Sequence, residues 1–182
     1  MDLSIEPLSA AAFAPFGQVI EVSDLARHFT INAGFAERYH DLARVDVASA
    51  GGRPQISIFR ARPRSLPMAL SLLERHPLGS QAFMPLSQLP YLVVVAPPAD
   101  ASRPDLARLR CFAAGPGQGV NYAAGTWHHP LLALQAECDF LVVDRGGAAS
   151  DHNCDEFALD GLGLWLAVGP NTPVGFSSQG VA

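Results

Sequence analysis

Two short stretches of the chain gather side chains that bind metals or move protons. The first, Glu74-Arg75-His76-Pro77-Leu78-Gly79-Ser80-Gln81, brings a carboxylate, an imidazole and a carboxamide close together. In an extended strand, residues two apart share a face, so Glu74 and His76 point the same way. Pro77-Leu78-Gly79 then turns the chain and lets Gln81 return to the same mouth. The second stretch, Gly117 to Pro130, ends in Trp127-His128-His129-Pro130. Adjacent histidines on a strand face opposite sides, so only one of the two is expected to enter an enclosed interior. Two imidazoles, a carboxylate and a carboxamide oxygen make a mixed N/O donor set suited to Mn, Fe, Ni or Zn. A metal so held, with open positions, polarises a substrate oxygen. Against this stands a plainer reading, in which Glu74 and Arg75 are surface charges and His76 packs beside Pro77.

All 12 basic residues are Arg, with no Lys in the chain. That excludes lysine Schiff-base chemistry and pyridoxal-phosphate attachment. It leaves the planar guanidinium for gripping carboxylates. Arg60 shares a strand face with Ile56 and Ile58, where an apolar inner face would otherwise continue, and is the first candidate for that task. Arg38 and Tyr39, in the polar run Glu37 to Asp41, are further binding candidates, to be weighed against an exposed loop with internal ion pairs. Arg145 has the strand parity of Leu141 and Val143, so it either faces inward or closes a strand beside Gly146-Gly147.

The elements that must position these groups read as short β segments. Runs rich in Val, Ile and Phe and bounded by turn residues occur at 18–22, 44–48, 55–61, 91–96, 110–113, 119–122, 131–135, 139–144 and 154–159. Ser9 to Phe16 fits one or two helical turns, with Ser9 as cap and Pro15-Phe16-Gly17 as stop. Leu66 to Leu73 is read as extended. The 15 Pro and 16 Gly among such runs favour a sandwich or barrel over alternating strands and helices. The expected fold is therefore all-β, an antiparallel barrel of jelly-roll type with one or two short helices. It forms one catalytic domain over residues 1–168, followed by a weakly ordered tail over 169–182 that is rich in Gly, Pro and Ser.

A net charge of −5 argues against nucleic acid, which needs clustered positive charge. No run approaches the ~18 apolar residues of a membrane span, and Met1-Asp2-Leu3-Ser4-Ile5-Glu6 lacks the basic start of a signal peptide. Cys111, Cys138 and Cys154 form neither a CxxC pair nor an even set, as expected of reduced thiols. A cytoplasmic protein is expected, with no nucleotide, flavin or pyridoxal phosphate. The charged fraction of 16% leaves apolar surface for a subunit interface.

Glu74-x-His76-x(4)-Gln81 resembles the first motif of the cupin superfamily with altered ligands. Gly117, Gly125 and His128 fall on positions of the second motif, and that frame selects His128 over His129. Longer segments resemble the bacterial ureidoglycolate lyase family, formerly called ureidoglycolate hydrolases: Glu74-Arg75-His76-Pro77-Leu78-Gly79, Gln118-Gly119-Val120-Asn121-Tyr122, Trp127-His128-His129-Pro130-Leu131 and Asp144-Arg145-Gly146-Gly147. The resemblance implies a cupin-type barrel, a homodimer, a divalent metal with nickel suggested, and a place in allantoin breakdown. It implies the splitting of ureidoglycolate into glyoxylate and urea. Glu74, His76 and His128 would then be catalytic, the same three with Gln81 would hold the metal, and Arg60, Arg38, Tyr39 and Arg145 would bind substrate. Another metal-dependent cupin enzyme, an isomerase or dioxygenase, or a non-catalytic binder of small acids, would use the same cluster.

Overall fold

The strand Tyr91–Ala96 is buried along its whole length, and its two faces serve different cores. Tyr91, Val93 and Val95 join one hydrophobic cluster, while Leu92, Val94 and Ala96 join another. A strand covered on both sides has no reason to alternate apolar with polar residues, which explains the unbroken run Tyr-Leu-Val-Val-Val-Ala. The computed structural model describes residues 2–148, 150–169, 172–173 and 176.

The central strand belongs to a seven-stranded sheet, in the order Asp155–Ala158, Leu72–Arg75, Trp127–His128, Tyr91–Ala96, Arg110–Ala114, Ile5–Pro7, with Leu132–Ala133 also paired to Tyr91–Ala96. Facing it is a five-stranded sheet, in the order Gly17–Ile20, Gly119–Tyr122, Gln81–Pro85, Cys138–Gly146, Arg53–Ala61. Phe83, Val120, Phe140 and Val142 from this second sheet meet Tyr91, Val93 and Phe112 from the first. Tyr91 and Phe140 pack edge to face with centroids 4.9 Å apart. On the far side of the seven-stranded sheet lies a small three-stranded sheet of Asp2–Leu3, Trp165–Leu166 and Met68–Ala69. Leu3, Met68 and Leu166 close the second core there. The layers are thus three, with the catalytic candidates in the gap between the two larger sheets.

The all-β expectation holds, with one change of form. The hydrogen-bonded strand orders of the two large sheets end at free edges, so the described residues make an open sandwich and not a closed barrel. The edge strand Arg53–Ala61 carries Pro54 and an arginine near each end, features that discourage further pairing. The helix falls where expected, over Ala10–Phe13, with Ser9 Oγ accepting from the Ala12 amide at 3.3 Å. The segment 44–48 is not a strand. It is tied instead to Ser80 and Asn121, with Asp46 N donating to Ser80 Oγ at 2.8 Å, Ser80 N to Asp46 O at 2.7 Å and Asn121 Nδ2 to Arg44 O at 3.0 Å. A hairpin of His28–Ile31 and Ala36–Tyr39 went unread in the sequence. Its turn passes through Asn32, Ala33 and Gly34, all at positive φ, and only the glycine advertises that. Most of the segment 169–182 lies outside the described residues, but Phe176 is buried in the second core. Among the described residues no helix is long and apolar enough to cross a membrane.

Candidate functional site

Antiparallel register puts His128 directly opposite Glu74 on the neighbouring strand. Strand parity then separates two environments. Leu73, Arg75 and Trp127 turn to the outer core, where the Arg75 guanidinium sits 4.6 Å from the Trp127 ring and pairs with Asp155 at 2.7 Å. Glu74 and His128 turn to the gap between the two large sheets. His76, two residues beyond Glu74, follows it, and its ring centroid lies 5.4 Å from that of His128. Glu74, His76 and His128 each present one ligand atom, all within 4.8 Å of one another. Gln81 faces the same gap from the opposing sheet, in register with Tyr122.

The histidines share a hydrogen-bonding pattern. Nδ1 of His76 faces the Asn153 carbonyl at 2.7 Å, and Nδ1 of His128 faces the Thr126 carbonyl at 2.9 Å. A carbonyl only accepts, so each Nδ1 carries the hydrogen and each Nε2 of the neutral ring keeps a lone pair. Both Nε2 atoms are buried without a partner among the described residues, as is Gln81 Oε1, whose amide nitrogen reaches Asp144 at 3.4 Å. Fixing a ring through Nδ1 so that Nε2 is free is how metal-binding histidines are oriented. Stranded buried acceptors are costly unless something binds them. Nε2 of His128 lies 3.6 Å from Glu74 Oε1, and when that imidazole is protonated it holds the Glu74 carboxyl below its ordinary range against the opposing effect of burial. His128 is clamped on its other side by Tyr122, stacked at 4.2 Å and nearly parallel.

A cavity of about 350 Å3 opens beside this cluster. Glu74, His128 and His129 form its polar wall, and Phe59, Phe83 and Tyr122 its aromatic one. The expectation that only one of the paired histidines faces inward is corrected here. The strand ends at His128 and the chain rejoins the same neighbour at Leu132, with residues 129–131 opposite only 93–94, so the alternation is broken by one extra residue and His129 also lines the cavity. Alternation governs side chains only while a strand continues, and the proline was the signal that this one stops. Burial holds the His129 imidazole below its ordinary proton affinity.

The expected arginines fare differently. Ile56, Ile58 and Arg60 do share a face, but it is the outer one: Ile56 is 71% exposed and the Arg60 side chain 64%. Phe59 and Ala61 take the inner positions, because the edge strand has solvent where a further layer was assumed. Arg60 still reaches the cavity mouth, with Nε and Nη2 each held at 2.8 Å by Asp139. Arg145 is buried, and its hydrogen bonds go to the Ser49 and Ala50 carbonyls and to Asp151. Its parity, shared with Leu141 and Val143, is that of the outer face carrying Ile56 and Ile58, and it is buried there under the Ser49–Gly51 turn and Asp151, away from the cavity. Arg38 and Tyr39 sit on the exposed hairpin, Arg38 against the Phe29 ring and Tyr39 stacked on His28. Neither lines the cavity of its own chain.

An all-β sandwich with a His-His-carboxylate cluster between its sheets, beside a cavity, makes a candidate metal or proton-transfer site for a small molecule. Comparison with known proteins gives the particular family. The family described as ureidoglycolate lyase matches residues 1–165. A ureidoglycolate lyase of Burkholderia mallei is 56% identical over 90% of this chain and 92% of its own. One of Azotobacter vinelandii is 54% identical over 85% and 90%, and one of Pseudomonas syringae pv. tomato 53% over 85% and 88%. The chain belongs to the ureidoglycolate lyase family. Among solved structures, a dTDP-6-deoxy-D-glucose-3,5-epimerase from Legionella pneumophila is similar at 14% identity and a TM-score of 0.44, over 77% of this chain and 70% of that one.

Proposed function

We propose that this chain eliminates urea from ureidoglycolate and leaves glyoxylate, a carbon–nitrogen lyase reaction in the breakdown of allantoin. The observation that carries the reading is the convergence of Glu74, His76 and His128 beside a cavity of small-molecule size. The substrate carbon bears a hydroxyl, a hydrogen, a carboxylate and the ureido nitrogen. Collapse of such a carbinolamide needs a proton taken from the hydroxyl and one given to the departing nitrogen.

The unpartnered Nε2 atoms of His76 and His128 and the Glu74 carboxylate fit a divalent ion, and Gln81 Oε1, buried and unpartnered on the facing sheet, is read as a fourth ligand. Nickel is the ion that the family resemblance implied, and Mn, Fe and Zn suit the same donors. A bound ion would supply polarisation of the substrate hydroxyl, favouring its ionised form. Within the chain, one Glu74 oxygen belongs to the ligand cluster and the second is free to take the hydroxyl proton. As the C–N bond breaks and the carbonyl forms, that proton passes to the ureido nitrogen, so urea leaves neutral. Tyr122 and Phe83 shield the exchange from water. The carboxylate end lies toward the mouth, where Arg60 offers Nη1, its other two nitrogens being engaged by Asp139.

The acting unit is read as one catalytic domain over residues 1–168, in a cytoplasmic homodimer. Support for the dimer comes from the exposed Ile56 and Ile58 on the edge strand and from Phe35, 92% exposed at the hairpin tip. Such surface is expected where chains meet, and it gives Arg38 and Tyr39 a second subunit to contact. The test is direct: ureidoglycolate is added to the protein and glyoxylate and urea are measured, in metal-stripped and metal-reloaded samples. Equimolar release of both supports the reading, while binding without product would make the chain a small-acid binder.

A further inference from the structure

His129 is the second imidazole lining the cavity, outside the cluster that fits a metal, and its geometry gives it a distinct use. We propose that His129 contacts the substrate directly, its Nε2 accepting a hydrogen bond from the ureido N–H and so fixing which way round the substrate enters. The inference rests on the reading of the substrate as ureidoglycolate.

Four observations carry it. His129 is 4% exposed and lines the cavity. Its Nδ1 lies 2.8 Å from the Pro130 carbonyl, which only accepts, so Nδ1 carries the hydrogen and Nε2 the lone pair. That Nε2 is buried and has no partner among the described residues. The ring is also held in place, since the His129 amide donates to the Val94 carbonyl at 2.9 Å on one side and Pro130 stiffens the chain on the other. A fixed, stranded acceptor selects the end of the ligand that can donate. The carboxylate cannot, and two acceptors facing each other would repel. The hydroxyl is drawn to Glu74 and the ligand cluster. What remains is the ureido group, whose N–H bonds leave with the urea.

The choice has a chemical consequence. With the ureido group at His129 and the hydroxyl at Glu74, the carboxylate is left for the mouth beside Arg60. An acid lacking an N–H gains nothing from His129, so the residue sets specificity for ureido compounds over plain 2-hydroxy acids. A site built to hydrogen-bond a polar group discriminates strongly against ligands that lack it.

The test uses two probes on the full-length protein, ureidoacetate, which has the ureido group, and glycolate, which does not. His129→Phe keeps a ring and removes both nitrogens. Its expected effect is a roughly 10- to 100-fold weaker affinity for ureidoacetate and a KM for ureidoglycolate raised by a similar factor, the loss of one well-made hydrogen bond that leaves a desolvated donor unpaired. Glycolate affinity, bound-metal content and melting temperature are expected within about twofold, or a few degrees, of wild type. His129→Gln, which retains an acceptor, is expected to recover part of the loss. Equal loss for glycolate and ureidoacetate, or loss of metal, would overturn the inference by making His129 a structural or ligand residue. If His129→Phe misfolds, 15N spectra of the wild-type imidazoles decide: a His129 Nε2 signal that shifts with ureidoacetate and not with glycolate supports the contact, and an Nε2–H tautomer refutes it. Wild-type protein that binds ureidoacetate through His129 without turning over ureidoglycolate overturns only the proposed function. Turnover with no His129 effect overturns only this inference, and neither binding nor turnover overturns both.

Discussion

Replacing Arg145 with Ala should unfold the protein more readily and leave substrate affinity almost unchanged. The guanidinium is 2% exposed and threads a channel kept open by missing side chains. A Cβ placed on Gly52 would come within 2.4 Å of Arg145 Nε, one on Gly147 within 2.2 Å of Nη1, and one on Gly79 within 2.8 Å of its Cβ. At its end the group donates to Ser49 O at 2.9 Å, Ala50 O at 3.1 Å and Asp151 Oδ2 at 2.8 Å. It thereby holds a turn in which Ala50 adopts a left-handed φ of 50°. Removing one partner of a buried ion pair costs about 3–5 kcal/mol. Asp151 keeps some access to water, at 22% exposed, which favours the lower figure. The two stranded carbonyls add about 1 kcal/mol each, so a total of about 5 kcal/mol is expected. For a chain of this size that lowers the melting temperature by about 10–20 °C. The assay is thermal unfolding by circular dichroism, paired with KM for ureidoglycolate measured well below the variant's transition. An unchanged transition with a KM raised tenfold or more would refute this and return Arg145 to the substrate.

Other outcomes follow from the same geometry. His128→Ala and His76→Ala should each lower bound divalent metal at least tenfold by elemental analysis, because each removes an oriented ligand and its support; full metal occupancy in both would remove the cluster as a metal site. Phe140→Ala should cost about 3–5 kcal/mol in denaturant unfolding, since Phe140 is fully buried between the sheets. Glu6 is held below its ordinary carboxyl range chiefly by its hydrogen bond to Arg110, so the pair stabilises the fold above pH 4.5 and the benefit is lost as pH falls through the lowered value. Glu6→Gln should therefore melt below wild type at pH 7, with the gap closing in acid; a gap that widens in acid would reverse the sign. Ile56→Glu with Ile58→Glu should shift the protein from dimer to monomer in light scattering, and a wild type already monomeric at micromolar concentration would end the dimer reading.

The sequence by itself determined the all-β class, the capped helical turn at Ala10–Phe13 and the unbroken central strand Tyr91–Ala96. These depend on local signals: β-branched and aromatic runs, a serine cap, and glycine and proline as punctuation. It also determined that Glu74 and His76 share a face, because period-two geometry needs no partner strand. Only the tertiary structure decided the rest. His128 meets Glu74 through a strand register set by residues far apart in the chain. Ile56, Ile58 and Arg60 share a face as expected, yet which side of a strand is inside depends on the layer that covers it, and none covers this edge. Arg145 keeps the parity of Leu141 and Val143, but that face is the outer one, and the turn and the glycines at 52, 79 and 147 that enclose it there are brought together only by folding. His129 reaches the cavity because the strand stops one residue earlier than simple alternation assumed. Parity within a strand is a local property of the backbone. Burial, register and partnership are properties of the other strands, and a single strand's sequence does not contain them.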